Sequence, residues 1–258
     1  MKFRTWGKSG QPLVVLLHAL GCHSGWWDWI GPRLGGEYQV VAPDFRGHGD
    51  SERAEEYRFD GYAADVAELV RSLGGGPYGL VGHSMGGYVG LMVAARRVLP
   101  PAALMVVDMK LEATAQELAG LQVAATRPSR TYRTLAEAAA GYRLSPSEHK
   151  VPPERLAAVA AQSFRPTDDG TWVEKLDRRA LAIEPLTPQD LAAQITCPAL
   201  FVRGEHSPVM PQEPALALAR SLGAPLVGML GLYHHLPLEA PEKLAGMIGR
   251  FLEDALPA

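Results

Sequence analysis

The residues best suited to chemistry in this 258-residue chain begin with Val81-Gly82-His83-Ser84-Met85-Gly86-Gly87. This G-x-S-x-G stretch follows a short apolar run, Tyr78–Val81, and opens a helical run, Tyr88–Arg97. On a strand–turn–helix connection such a serine is held in a strained backbone with its hydroxyl exposed for nucleophilic attack. Gly82 and Gly86 answer to the crowding of that turn, where a Cβ would meet neighbouring backbone, and Gly87 lets the helix lie close to the strand. In a chain with 27 glycines the pattern alone can arise by chance, as a glycine-rich connection carrying an incidental serine. The context singles out Ser84 as a candidate nucleophile.

A serine hydroxyl is weak until a neighbouring base takes its proton. Tyr233-His234-His235-Leu236-Pro237-Leu238-Glu239-Ala240-Pro241 lies between the last apolar run and the last helical stripe. It offers two adjacent histidines in the chain order nucleophile, acid, histidine. Near the N-terminus, Leu16-Leu17-His18-Ala19-Leu20-Gly21 follows the first apolar run. In G-x-S-x-G hydrolases the loop there supplies one oxyanion-hole N–H and the residue after the nucleophile supplies the other. By position these are the N–H groups of Leu20 and Met85. His18 reads as a structural residue fixing this loop. Asp44, Arg46 and His48, within the glycine-punctuated run from Pro43 to Ser51, read as a structural hydrogen-bond network.

These residues need a scaffold that brings distant loops to one edge. Short apolar runs at Leu13–Leu17, Tyr38–Ala42, Tyr78–Val81, Ala103–Val107, Ala199–Val202 and Leu226–Leu230 alternate with helical patterns. Such continuous apolar runs suit strands buried on both faces, so the expected fold class is α/β, a mostly parallel twisted sheet with helices on both faces. Lys2–Trp6 is a candidate edge strand. Tyr62, Val66, Leu69, Val70 and Leu73 form one helical stripe, and Leu244, Ile248, Phe251 and Leu252 another, with Pro241 suited to a first turn. From Lys110 to Thr196 the rhythm breaks into short, proline-divided helical patterns without a convincing strand. The expectation is a helical cap over 110–196, inserted into a core of 1–109 and 197–258 and covering the sheet end where ligands bind.

Composition narrows the function classes. With 47% hydrophobic and 21% charged residues the chain can bury a sizeable core. A net charge of −3 provides no basic field for nucleic acid and no polybasic anchor, so a small-molecule substrate is the default partner and a homodimer stays open. No apolar run approaches the ~20 residues of a membrane span, and the N-terminus lacks the apolar core of a signal peptide. Cys22 and Cys197 make neither a disulfide framework nor a metal site, and Cys197 reads as a small buried hydrophobe. A reducing cytoplasm is the expected setting.

Taken together, the His18 loop, the Asp44–Ser51 loop, the Gly82–Gly86 elbow and the histidine before Glu239-Ala240-Pro241 resemble the α/β-hydrolase family along nearly the whole chain outside 110–196. In similar sequences the catalytic histidine lies five positions before this glutamate, so the resemblance implies His234, with His235 as a pocket or packing neighbour and Tyr233 in place of the usual glycine. Family members commonly place the acid after the seventh strand in a G-[ED]-x-D stretch. Here Gly204-Glu205-His206-Ser207 puts serine where aspartate is expected, and a hydroxyl cannot stabilise an imidazolium as a carboxylate does. Two substitutes remain: Asp108, at the end of the family's sixth strand, and Glu205. Branches resembling haloalkane dehalogenases take their acid from the first position. A branch of amide hydrolases acting on a vitamin B6 breakdown product is similar in pairing it with a serine after Gly-Glu. Asp108 is the preferred candidate.

The resemblance implies acyl transfer to water on an ester, thioester or amide, with Ser84 attacking, His234 as base, and no cofactor or metal. Dehalogenase and epoxide hydrolase chemistry need a carboxylate at position 84. A C–C hydrolase or cofactor-free lyase on the same residues, or a receptor-like homologue with little turnover, are the alternatives, since the fold does not settle function. Trp26, Trp27 and Trp29 either line an apolar pocket or pack the first helix. Arg127, Arg130, Arg133, Arg143 and Lys150 either receive a substrate carboxylate or are solvated helix faces.

Overall fold

A computed structural model describes residues 1–96 and 99–256. Arg97, the expected end of the helix after Ser84, lies outside the described residues. The strands in chain order are β1 (Phe3–Trp6), β2 (Leu13–Leu17), β3 (Gln39–Pro43), β4 (Tyr78–His83), β5 (Ala103–Val107), β6 (Thr131–Tyr132), β7 (Phe164–Pro166), β8 (Trp172–Glu174), β9 (Ala199–Gly204) and β10 (Leu226–Met229). The main sheet runs β1-β3-β2-β4-β5-β9-β10, with β1 antiparallel to β3 and every other pair parallel. The strand that ends before Asp108 is fifth in this chain's own order, and the one ending in Gly204 follows it directly in the sheet.

Alternation along β2 explains why the sheet is covered twice. Leu13, Val15 and Leu17 pack with Tyr62, Val66 and Val70 of the helix Phe59–Ser72 and with Val89 and Leu91 of the helix Met85–Ala95. Val14 and Leu16 join Leu34, Leu244, Ile248 and Leu252 on the opposite face. Each such buried side chain contributes roughly 1.5–3 kcal/mol relative to exposure. Because the strands are parallel, the loops that carry His18, Asp44, Ser84, Asp108, Ser207 and His234 all leave the same edge, at the C-terminal ends of their strands.

The stretch 110–196 is not wholly helical. Helices Ala115–Thr126, Leu135–Gly141 and Pro153–Gln162 are joined by an antiparallel sheet of β6, β8 and β7. Its strands are two or three residues long, too short for a period-two pattern to register in sequence. The end of the stretch packs with the main sheet: Ala180 and Ala192 are buried in the same cluster as Tyr88 and Leu91. Among the described residues no helix is long and apolar enough to cross a membrane.

Candidate active site

Ser84 has φ 54° and ψ −117°, a left-handed backbone that a residue with a Cβ adopts only when its surroundings enforce it. The enforcement is visible. Its N–H donates to the Val107 carbonyl at 2.9 Å, while its own carbonyl accepts from Gly87 at 2.9 Å. A Cβ on Gly82 would run into the Gly86 carbonyl, and one on Gly86 would stand 2.5 Å from the Leu17 carbonyl oxygen. Three pieces of backbone therefore touch at the elbow, and glycine alone permits it. Met85 begins the following helix, so its N–H is one of the four at a helix start without an intrahelical acceptor, at the positive end of the dipole. Leu20, Ser84, Met85 and His234 line one cavity of about 790 Å³.

Asp108 is the second non-glycine residue with positive φ among those described, at 45°. Its carboxylate is fully buried and accepts three hydrogen bonds. Oδ1 accepts from His234 Nδ1 at 2.7 Å and from the Ser207 hydroxyl at 2.5 Å, and Oδ2 accepts from the Gly204 N–H at 2.6 Å. Register produces this cluster: Val107 pairs with Val202, so Asp108 emerges beside Gly204, to which it is bonded. With Nδ1 donating to Asp108, the free lone pair of a neutral His234 is on Nε2. Glu205 stands elsewhere. It accepts from the Gly231 N–H at 2.7 Å, and its side chain is 44% exposed.

The loop carrying His234 is tied down from several directions. Glu239 accepts from the Tyr233 N–H at 2.7 Å and from the His235 N–H at 3.1 Å, a physical reason for the five-residue spacing. Burial raises the Glu239 carboxyl above its ordinary value, offset in part by those two N–H bonds. Gly204 is needed because a Cβ there would strike the Tyr233 carbonyl. His83 Nε2 donates to the His234 carbonyl at 2.9 Å, and burial holds its ring neutral, with a pKa well below the usual value. His83 was not singled out from sequence; its place inside the elbow, one residue before Ser84, was the available signal. His235 donates from Nε2 to the Pro146 carbonyl at 2.8 Å, and burial, then His234, push its pKa down to about 3.

The remaining candidates sort by their contacts. His18 accepts the Phe45 N–H on Nε2 at 3.0 Å and donates from Nδ1 to the Ala19 carbonyl at 2.8 Å, joining the Leu20 loop to the loop after β3. Burial brings its pKa down to about 3. Asp44 accepts from the Ser24 and Asp50 N–H groups at 2.6 and 2.8 Å. Arg46 forks onto Asp65 at 2.7 and 2.6 Å. Trp26 lines the cavity, whereas Trp27 is buried in the core on one sheet face and Trp29 packs beside Trp26. Arg127, Arg130 and Arg143 line the cavity together with Arg178, which the sequence reading passed over. Arg133 and Lys150 are outside that lining. Among the described residues no three His, Cys, Asp or Glu side chains stand together as a metal-ligating group.

Comparison with known proteins adds an independent line. The family model described as the alpha/beta hydrolase family matches residues 14–247. A 2-(acetamidomethylene)succinate hydrolase of Mesorhizobium japonicum is 27% identical over 95% of this chain and 90% of its own length. A 3-hydroxybutyrate-oligomer hydrolase of Cupriavidus necator is 30% identical over 83% of this chain and 79% of its own. The crystal structure of an E-2-(acetamidomethylene)succinate hydrolase superposes with a TM-score of 0.82 at 26% identity, over 97% of this chain and 94% of that one.

Proposed function

The chain belongs to the α/β-hydrolase family, and we propose that it is a serine hydrolase cleaving an ester, thioester or amide of a small molecule through an acyl-enzyme on Ser84. The observation that carries this reading is the set of groups at the cavity: Ser84 and His234 both line it, and a fully buried Asp108 holds His234 Nδ1 at 2.7 Å. Similarity along most of the chain to proteins named as hydrolases of a succinate derivative and of hydroxybutyrate oligomers supports hydrolysis as the reaction.

In this reading His234 Nε2 takes the Ser84 proton as the oxygen attacks the carbonyl carbon. Asp108 keeps the imidazole in the right tautomer and stabilises the imidazolium. The tetrahedral oxyanion is received by the N–H groups of Met85 and Leu20; one such donor is typically worth ~10²–10³ in kcat. The imidazolium then gives its proton to the leaving group, and water deacylates Ser84 through the same histidine. The unpaired cysteines, Cys22 and Cys197, support a reducing, cytoplasmic setting.

The test is labelling with a fluorophosphonate, which reacts with activated serines. The expected result is one adduct on Ser84, absent in Ser84→Ala. Labelling that persists in that variant overturns the assignment.

A further inference from the structure

The chain is acidic, but the wall of its cavity is not. Acidic residues outnumber Lys and Arg by 28 to 25 over the sequence. The cavity lining holds Lys110, Arg127, Arg130, Arg143 and Arg178 against only Glu117 and Glu174. Both acids are already engaged. Glu117 meets Lys110 at 2.6 Å, and Glu174 meets Arg178 at 3.5 Å. Arg178 additionally donates to the Ala124 carbonyl from Nε and Nη2 at 3.1 and 3.0 Å, which ties it into the scaffold.

Three guanidinium groups are left over. Arg143 donates to the Ala140 and Tyr142 carbonyls at 2.7 Å each, so it is oriented but not neutralised. Arg127 and Arg130 have no side-chain hydrogen bond or ion pair among the described residues. They flank Pro128 and Ser129 on the connection from the helix Ala115–Thr126 to β6, where both line the cavity and, like Arg143, are exposed to solvent. Like charges gathered around a cleft with low-dielectric walls focus a field that draws in an anion. A planar guanidinium matches a carboxylate with two parallel hydrogen bonds.

We infer that the substrate carries a carboxylate at a distance from its scissile carbonyl, received by Arg127, Arg130 and Arg143 while Ser84 meets the carbonyl. This rests on the serine-hydrolase reading for the second half of the statement only; the anion site stands on its own. The carboxylate sits on either the acyl or the leaving-group part of the substrate. Neutral esters of the same size lack the charge that the cavity wall leaves uncompensated.

Two matched ester pairs test the inference. Mono-p-nitrophenyl glutarate against p-nitrophenyl butyrate places the charge on the acyl part. The 4-acetoxybenzoate anion against its methyl ester places it on the leaving group. The expected result is a kcat/KM ratio of about tenfold or more for the anion in one pair, shrinking as salt rises from low ionic strength and screens the interaction. The double variant R127Q/R130Q should bring that ratio down towards one, and Arg143→Gln should lower it as a separate check. Ratios near one in both pairs, or ratios that ignore salt and substitution, overturn the inference while leaving ester turnover to support the serine reading. Calorimetric titration of glutarate into Ser84→Ala reads the anion site without turnover. Binding that weakens in R127Q/R130Q supports the site even if fluorophosphonate labelling fails, and no binding in any background counts against it.

Discussion

The Ser207 hydroxyl donates to Asp108 Oδ1 at 2.5 Å, on the same oxygen that accepts from His234 Nδ1 at 2.7 Å. Ser207 occupies the position where similar sequences carry the acid, and here it supports an acid supplied by the neighbouring strand. Ser207→Ala removes one donor from a buried carboxylate, a change that costs about 1–3 kcal/mol. We expect lower stability in urea and a several-fold loss of kcat. Ser207→Asp places a second carboxylate against Asp108, and like charges in one buried site raise the pKa of one of them. That variant should be less stable and less active than wild type; activity above wild type would refute the supporting role.

Asp108→Asn should fold yet lower kcat by up to ~10⁴, since an amide does not hold the imidazole tautomer that the mechanism needs. Glu205→Gln should change kcat little, because its carboxylate reaches the Gly231 N–H, not His234. Steady-state kinetics on a p-nitrophenyl ester check both, and a larger loss in the Glu205 variant would reverse the assignment.

His234→Ala should cost several orders of magnitude in kcat. His235→Ala should keep most activity, because its Nε2 is committed to the Pro146 carbonyl at 2.8 Å. Equal losses would show that the two histidines act as a unit.

Gly204→Ala should lose about 3 kcal/mol, at the upper end of overpacking costs, or fail to accumulate as folded protein, because the added methyl meets the backbone carbonyl of Tyr233, which cannot swing away. Gly228→Ala, in the adjacent β10, has open space around the new methyl and should stay within ~0.5 kcal/mol of wild type. Urea denaturation of the pair reads the contrast directly.

Stability should fall as pH drops below the neutral range. Burial holds His18 and His235 at about 3 and His48 at about 4, against 6.5 for the unfolded side chain. Between these values the unfolded state binds protons that the native state refuses, so unfolding becomes easier as pH falls through 6.5 towards 4. The stability from this source is fully present above 6.5. The urea midpoint should therefore drop from pH 7.5 to pH 5, and His235→Asn should flatten the slope; a midpoint constant over that range would contradict the buried neutral histidines.

The expected runs for β2 and β5 coincide with the strands, and the other strands of the main sheet differ from their expected runs by one or two residues at one end, or, for β3, by one residue at both. Their signals are local: an unbroken apolar run answers to burial on both faces, and a glycine answers to backbone in contact. The elbow was legible for the same reason, since Gly82 and Gly86 record the nearness of Gly86 and Leu17 backbone. The strands of β6, β7 and β8 were not legible, because two or three residues carry no periodicity. The sequence preferred Asp108 to Glu205 as the partner of His234 but, with the two on neighbouring strands, held no contact that fixed the choice. The pairing of Val107 with Val202 decided between them, since it sets Asp108 under the His234 loop and leaves Glu205 on the exposed side at Gly231. A strand's own residues encode its burial, but its register against a neighbour is settled only when the whole sheet packs between its two cores, and that register is what brought Asp108 to His234.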